Sequence, residues 1–350
     1  MATVTRQEQE PAADEITEVA PGILRMQLPI MMPGLGHVNC YALEDERGFA
    51  VVDPGLPTPE SYEALLRRLA AAELPLRRLH SVIVTHSHPD HFGGAARLRD
   101  ESGADIVTHR SFRLWFDPEP DAEDPETAAA EGTPQRPLQG PWERPVPWGG
   151  QPFQPPEGSV GRSREEFRAY MTHPRPTRRL DDADVASFAR RDWIAVHTPG
   201  HTPDHLCLYD PIEGVVLSGD HVLPSITPHI SGIGNSNDPL AEFFASLDRV
   251  RTLEGVRHVL PAHGHPFTDL TGRVDEIKKH HIDRLNRLTA ASHQLGRAAS
   301  VNELMQHLFS PRAWGSMAES ETYAHLEHLR LAGQADSHWE DELLLYEITA

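Results

Sequence analysis

Thr85-His86-Ser87-His88-Pro89-Asp90-His91 is the stretch on which the reading of this chain turns. The run leading into it, Ser81-Val82-Ile83-Val84-Thr85, is short, apolar and β-branched, which predicts a buried strand. On extended backbone, His86 and His88 point their rings the same way because they are two residues apart. Asp90 and His91 follow where a short helix should start. Four potential ligands therefore leave one strand end within six residues. Imidazole and carboxylate are the nitrogen and oxygen ligands that zinc accepts. Crowded together at a sheet edge, such groups are costly unless a cation sits among them.

Three later positions repeat the setting. His201 lies in Thr198-Pro199-Gly200-His201-Thr202, directly after a strand expected over 193–197. Asp220 ends Leu217-Ser218-Gly219-Asp220, after a strand expected over 214–218. His263 lies in Leu260-Pro261-Ala262-His263-Gly264, after one expected over 256–260. Each is a turn after an apolar run, and strand-end loops on one face of a sheet scaffold are where sites are assembled. A lone His in a turn is more often a surface residue, so the signal lies in order and context together.

H-x-H-x-D-H followed by His, Asp and His resembles the metallo-β-lactamase superfamily, over about residues 22–270. The resemblance implies an α/β fold, the αββα sandwich of that family, and two divalent metal ions. One would be held by His86, His88 and His201, the other by Asp90, His91 and His263, with Asp220 bridging both. The full set is similar to the glyoxalase II-like, two-metal branch. Antibiotic-hydrolysing members usually carry Cys where this chain has Asp220, which argues against lactam hydrolysis. Zinc is the expected metal, and iron and manganese suit the same His/Asp set. The implied nucleophile is a metal-bridging hydroxide, since metal binding lowers the pKa of water from about 15.7 toward 7. Asp220, between the metals, and Asp90, orienting the nucleophile, are the carboxylates given catalytic roles. Asp53 is expected to support a ligating His. His205 stands open between such a supporting role and a buried structural one. His221 is a lesser candidate for the pocket, and His197 and His265 read as structural.

The rest of the chain is organised around this core. Residues 1–18 are acidic and polar and read as a flexible arm, with no signal-peptide pattern. Further strands are expected over 23–29, 38–43, 49–52, 105–108 and 206–209. Thr58 should cap a helix that starts at Pro59. Other helices are expected over 239–253 and 270–288. Between 117 and 179 lie 13 of the 31 prolines, with Trp142, Trp148 and Phe153. That density prevents long regular elements, and the segment reads as a lid or pocket insertion whose aromatic residues would line an acyl pocket. Residues 19–294 then form the metallo-β-lactamase domain, and 295–350 form a small C-terminal winged-helix domain. In the latter, Ser300-Val301-Asn302-Glu303 is a capping box, a helix follows over 319–332 with Gly333 as its C-cap, and 339–348 is an extended wing. A core followed by a winged helix is similar to the β-lactamase-like protein 2 subgroup. That subgroup includes thioesterases acting on carrier-bound polyketides and some endoribonucleases.

Composition narrows the substrate. The formal net charge of -20 repels polyanions at long range, so nucleic acid is a disfavoured partner. Arg175, Arg178 and Arg179 make only a short basic track, and the terminal domain is poor in Lys and Arg. Two cysteines, Cys40 and Cys207, sit in apolar strands and suit a reducing compartment. No run is long enough to span a bilayer, so no membrane is involved and the cytoplasm is the expected location. Of the 22 histidines, His229, His280, His281, His325 and His328 read as solvated surface rings. The leading expectation is a hydrolase of a thioester, carboxylic ester or lactone, on a small-molecule or carrier-bound acyl substrate. The alternative is a phosphodiesterase or endoribonuclease on the same two metals. A non-enzymatic DNA regulator is the weakest reading.

Overall fold

Strands whose residues are apolar on both faces must be covered on both faces, and this chain has two sheets of that kind. The computed structural model describes residues 6–32, 34–114, 145–151, 172–234 and 236–349. The first sheet holds seven strands in chain order. They are β1 (Thr17–Ala20), β2 (Ile23–Met32), β3 (Leu35–Asp45), β4 (Gly48–Val52), β5 (Leu79–Ile83), β6 (Asp105–His109) and β7 (Arg178–Leu180). β1 to β4 pair antiparallel, β4 to β7 parallel. The second sheet has β8 (Val185–Phe188), β9 (Arg191–His197), β10 (Leu206–Asp210), β11 (Val215–Gly219) and β12 (His258–Pro261), in the order β12-β11-β10-β9-β8.

Alternation along each strand builds three core layers. Tyr41, Leu43, Ala50, Val52 and Ile83 face Trp193, Ala195, Leu206 and Leu217 between the sheets. Val38, Cys40, Phe49 and Val82 point the other way, onto α1 (Pro59–Ala71) and α3 (Ala95–Ser102). On the far side, Cys207, Tyr209 and Val216 meet α4 (Pro239–Arg251) and α5 (Leu270–Leu295). The result is the expected αββα sandwich. The single turn α2 (Pro89–Phe92) sits between β5 and α3. Thr58 caps α1 by accepting from Ser61 N–H at 3.3 Å, with Pro59 in its first turn. Asp238 caps α4 by accepting from Ala241 N–H at 2.9 Å.

The C-terminal region adds β13 (Ala299–Ser300), α6 (Val301–Leu308), α7 (Ser316–Leu331), β14 (Ala335–Glu340) and β15 (Leu343–Ile348). Its small sheet has the order β13-β15-β14. Ser300 caps α6 from its side chain, as the capping box requires. The helix expected over 270–288 runs on to Leu295 and stops at Gly296, whose φ of 62° suits a glycine C-cap. Its second half, Leu288 and Ala291, already belongs to the terminal core, so α5 is shared by both parts.

Two expectations change. The arm expected to be flexible over 1–18 is seated from residue 6 onward. Glu8 is fully buried and accepts hydrogen bonds from Ser225 N–H at 2.8 Å and Ile226 N–H at 3.1 Å, with the Ser225 hydroxyl as a further donor. Charge-assisted bonds to backbone donors outweigh the solvation that an acidic segment suggests. Trp148 does not line an acyl pocket. It is buried in the terminal core with Val146, and its carbonyl accepts from Leu344 N–H at 3.1 Å. Trp142 and Phe153, and most of the 117–179 insertion, lie outside the described residues. Among the described residues no helix is long and apolar enough to cross a membrane.

Candidate metal centre

The candidate ligands leave the ends of four strands that point to one edge of the sandwich. His86, His88, Asp90 and His91 follow β5, His201 follows β9, Asp220 follows β11 and His263 follows β12. The two sheets are tied together here, since Leu206 N–H donates to the Thr85 carbonyl at 2.9 Å. The turn carrying His263 is fastened to β3: Asn39 donates to the Pro261 and Gly264 carbonyls at 2.9 and 2.8 Å, and Tyr41 OH donates to Pro261 at 2.7 Å. Gly219, with φ +50°, brings Asp220 in close; a Cβ there would lie 2.6 Å from His205 Nε2.

All seven residues come together, in two groups. His86, His88, His201 and Asp220 each present a ligand atom within 4.8 Å of the others, and so do Asp90, His91 and His263. His88 Nδ1 lies 2.9 Å from His86 Nε2 and 3.1 Å from His201 Nε2. Asp220 Oδ2 is 3.9 Å from His86, 3.5 Å from His201 and 3.6 Å from His91, while its Oδ1 is 3.3 Å from His263. One carboxylate thus faces both groups.

The outer partners of the rings decide which nitrogen faces inward. His201 Nδ1 donates to the His229 carbonyl and His263 Nδ1 to the His37 carbonyl, both at 2.7 Å, because a carbonyl can only accept. His91 Nδ1 meets the Asp53 carboxylate at 2.9 Å. Thr85 gives its hydroxyl proton to Asp53 at 2.8 Å, so its oxygen accepts from His86 Nδ1 at 3.0 Å. Each of these four rings therefore turns an Nε2 lone pair inward, the arrangement by which outer hydrogen bonds orient metal-binding imidazoles.

Two of those lone pairs, on His91 and His263, lack protein partners among the described residues. His91 Nε2, His263 Nε2 and Asp220 Oδ1 are buried with no hydrogen-bond partner among the described residues. Acceptor facing acceptor at 3.3 Å, as between His263 and Asp220, is repulsive unless a cation stands between them. Burial and the neighbouring imidazoles hold His86 and His88 well below the ordinary imidazole range. Burial also disfavours charge on His91, but Asp90, Asp220 and Asp53 outweigh it and hold that ring well above its usual value. A field that would draw a proton there draws a metal cation equally, with release of the proton. The donor set fits divalent metal ions.

The neighbouring expectations resolve. Asp53 supports His91 as expected, from a backbone φ of 53°. His205 is a supporting residue of a different kind: it takes a hydrogen bond from Asp220 N–H at 3.0 Å through Nε2 and pairs with Thr198 at 2.7 Å through Nδ1. His221 is buried, and neither ring nitrogen has a hydrogen-bond partner among the described residues. His265 contacts the arm through Glu10 at 2.9 Å, and His197 stacks on His109 at 3.8 Å. The solvated reading of the remaining histidines fails for two of them. His281 and His325 are fully buried, grouped with Glu321, because α5 and α7 pack face to face where each sequence alone suggests a wet surface. His229, His280 and His328 are half-buried. Sequence reasoning missed the His37 and His229 carbonyls and Thr85. Thr85 had a signal, its place directly before His86; a backbone acceptor has none. It also missed Asp204, buried 2.9 Å from Ser87 Oγ, whose carboxyl burial pushes up to about 6.

A metallo-beta-lactamase family protein from Thermus thermophilus superposes with a TM-score of 0.73 at 28% identity, covering 95% of this chain and 100% of that one. The probable metallo-hydrolase YqjP of Bacillus subtilis is 24% identical over 89% of this chain and 94% of its own length. An atrochrysone carboxyl ACP thioesterase of Aspergillus fumigatus is 26% identical over 69% of this chain, which spans 41% of that protein. Residues 33–288 match the profile of the Metallo-beta-lactamase superfamily, whose members are hydrolases that typically bind divalent metal ions, and the chain belongs to that superfamily.

Proposed function

We propose that this protein is a hydrolase of thioesters or carboxylic esters, lactones included, working with two divalent ions of which zinc is the first candidate. The observation that carries the reading is Asp220, a single buried carboxylate that faces His86, His88 and His201 on one side and His263 on the other. When bound, the two ions would supply Lewis acidity and a water acidified toward neutral pH. His86, His88 and His201 with Asp220 would hold one, and Asp90, His91 and His263 with Asp220 the other. Asp90 and Asp220 bring the anionic charge that offsets the cations and orients the attacking oxygen. Thr85, Asp53 and the His37 and His229 carbonyls keep the rings in their ligating tautomers. The chain needs no nucleophile of its own. Cys40 and Cys207 are buried, and burial pushes the Cys207 thiol up to about 12.

An acyl substrate is favoured over a phosphodiester by the net charge of -20 and by the thioesterase named among the relatives. Residues 295–350 fit a winged-helix-like module in a structural role: two helices are followed by the β14–β15 hairpin, with few basic residues to meet phosphate. The test is metal analysis of the purified protein, paired with turnover of glutathione, coenzyme A and carrier-protein thioesters, lactones and phosphodiesters. Two metal equivalents with thioester or lactone turnover are expected. A protein that retains no metal, or one that cleaves phosphodiesters fastest at low salt, would overturn the proposal.

A further inference from the structure

The segment between β11 and α4 carries the carbonyl that orients His201, yet its described residues form no helix or strand. No ladder of backbone bonds holds it, so its position is set from outside. Glu8 grips Ser225 and Ile226 from the arm, and Arg273 of α5 donates to the Leu223 and Ile226 carbonyls at 2.6 and 2.7 Å. Residues 229–232 are held by α7. Gly232 N–H lies 3.0 Å from the Ser320 hydroxyl oxygen and 3.2 Å from the Ser320 carbonyl. Ser231 Oγ meets Ser320 Oγ at 3.2 Å, and His229 Nδ1 lies 3.5 Å from Glu321 Oε2. Ile230 is fully buried in the same core as Ala324 of α7. The contact is close enough that a Cβ on Gly232 would stand 2.5 Å from the Tyr323 ring and 2.7 Å from the Ser320 carbonyl.

We propose that α7 of the C-terminal region positions His201, and with it the metal held by His86, His88 and His201, by clamping residues 229–232. Ser320 and Glu321 are positioning residues: they fix the segment, the His229 carbonyl fixes the His201 ring, and the ring presents Nε2. This gives the C-terminal region a task in building the site, separate from any ligand of its own. A loss of the clamp leaves His201 free to rotate or change tautomer, and supporting contacts of this kind are worth about 10–100-fold in metal affinity.

The inference rests on the metal-centre reading, and the experiment separates the two. Metal-free full-length protein is titrated with Zn2+ against a chromophoric chelator, and with Co2+ followed by its visible absorption. The variants are Glu321→Gln, Ser320→Ala and Gly232→Ala, with Glu327→Gln as control, since Glu327 pairs only with Arg330 and Tyr346 inside the terminal module among the contacts described. In the three clamp variants one of the two metal positions should weaken about tenfold or more, with an altered Co2+ spectrum, and activity should return at excess Zn2+. The control should lose melting temperature while keeping both affinities. Glu321 also pairs with Arg284; should its variant unfold, Ser320→Ala and Gly232→Ala leave that ion pair intact and decide the matter. Wild-type affinities and spectrum in the clamp variants, or weakening in the control alone, overturn the inference. Wild-type protein that takes up no metal overturns the metal-centre reading itself.

Discussion

Among the described residues two clusters of histidines stand out, one at the edge of the sandwich and one between α5 and α7. By composition they look alike, since His281, Glu321 and His325 also bring ligand atoms within 4.8 Å of one another. Their hydrogen bonds differ. At the sandwich edge the outer nitrogens of His86, His91, His201 and His263 are taken by a carbonyl, a hydroxyl or Asp53, and the inner lone pairs of His91 and His263 stand before carboxylates that no Arg or Lys pairs with among the described residues. Between the helices the carboxylate has a cationic partner, although His281 Nε2 is buried without a hydrogen-bond partner among the described residues. His325 Nδ1 donates to the Glu321 carbonyl at 2.6 Å, His281 Nδ1 lies 3.1 Å from His325 Nε2, and the Glu321 carboxylate is taken by Arg284. A guanidinium already serves that carboxylate as its cationic partner. Converging lone pairs and an acid without a cationic partner mark a candidate metal centre; a tally of ligand-type residues does not.

The sharpest break of that comparison is removal of the shared carboxylate. Asp220→Ala should abolish tight metal binding and lower kcat/KM at least about a hundredfold, equivalent to about 2.7 kcal/mol, as read by metal analysis and thioester turnover. Next is the outer partner of His91. Asp53→Asn keeps a residue type that tolerates the left-handed φ of 53° but loses the charge, and metal affinity should fall about 10–100-fold in chelator competition. The second cluster should respond oppositely. His281→Leu should leave two metal equivalents per chain while costing about 1–3 kcal/mol of stability in urea unfolding, because His325 loses its partner. A third equivalent in the wild type that disappears in this variant would erase the distinction.

The smallest effect is on pH. Burial holds His325 at about 4, below the ordinary imidazole value, and burial lowers the neighbouring His281 as well. A group depressed on folding contributes its stability in full above the unfolded value of about 6.5, and that stability drains as pH falls toward 4, by up to about 1.4 kcal/mol per pH unit for each ring. His325→Leu should therefore lose less stability than wild type between pH 6.5 and 4. Equal losses in urea midpoints would show that the cluster is protonated in the native state.

Much of this was legible along the chain. The candidate ligands were readable because a metal motif at a strand end concentrates unusual residue types in a few positions, as at His86 to His91. The double-faced strands were readable because a sheet covered on both sides needs an unbroken apolar run, as at Phe49 to Val52. The β1, β7 and β8 strands were not, being short, and β7 begins within the proline-rich stretch. His281 and His325 were read as wet because they sit among Lys, Arg and Glu on helices whose partner face lies more than 30 residues away.

The sequence by itself determined the superfamily, the seven candidate ligands and the absence of a Cys at position 220, since all of these depend on side-chain identity. The tertiary structure alone decided which nitrogen of each ring faces inward, that Glu8 and α7 hold the segment behind His201, and that Arg284 pairs with the carboxylate of one histidine cluster while no Arg or Lys does so at the other among the described residues. These depend on backbone carbonyls and on distant arginines brought near, and a carbonyl is the same at every residue until the fold aims it.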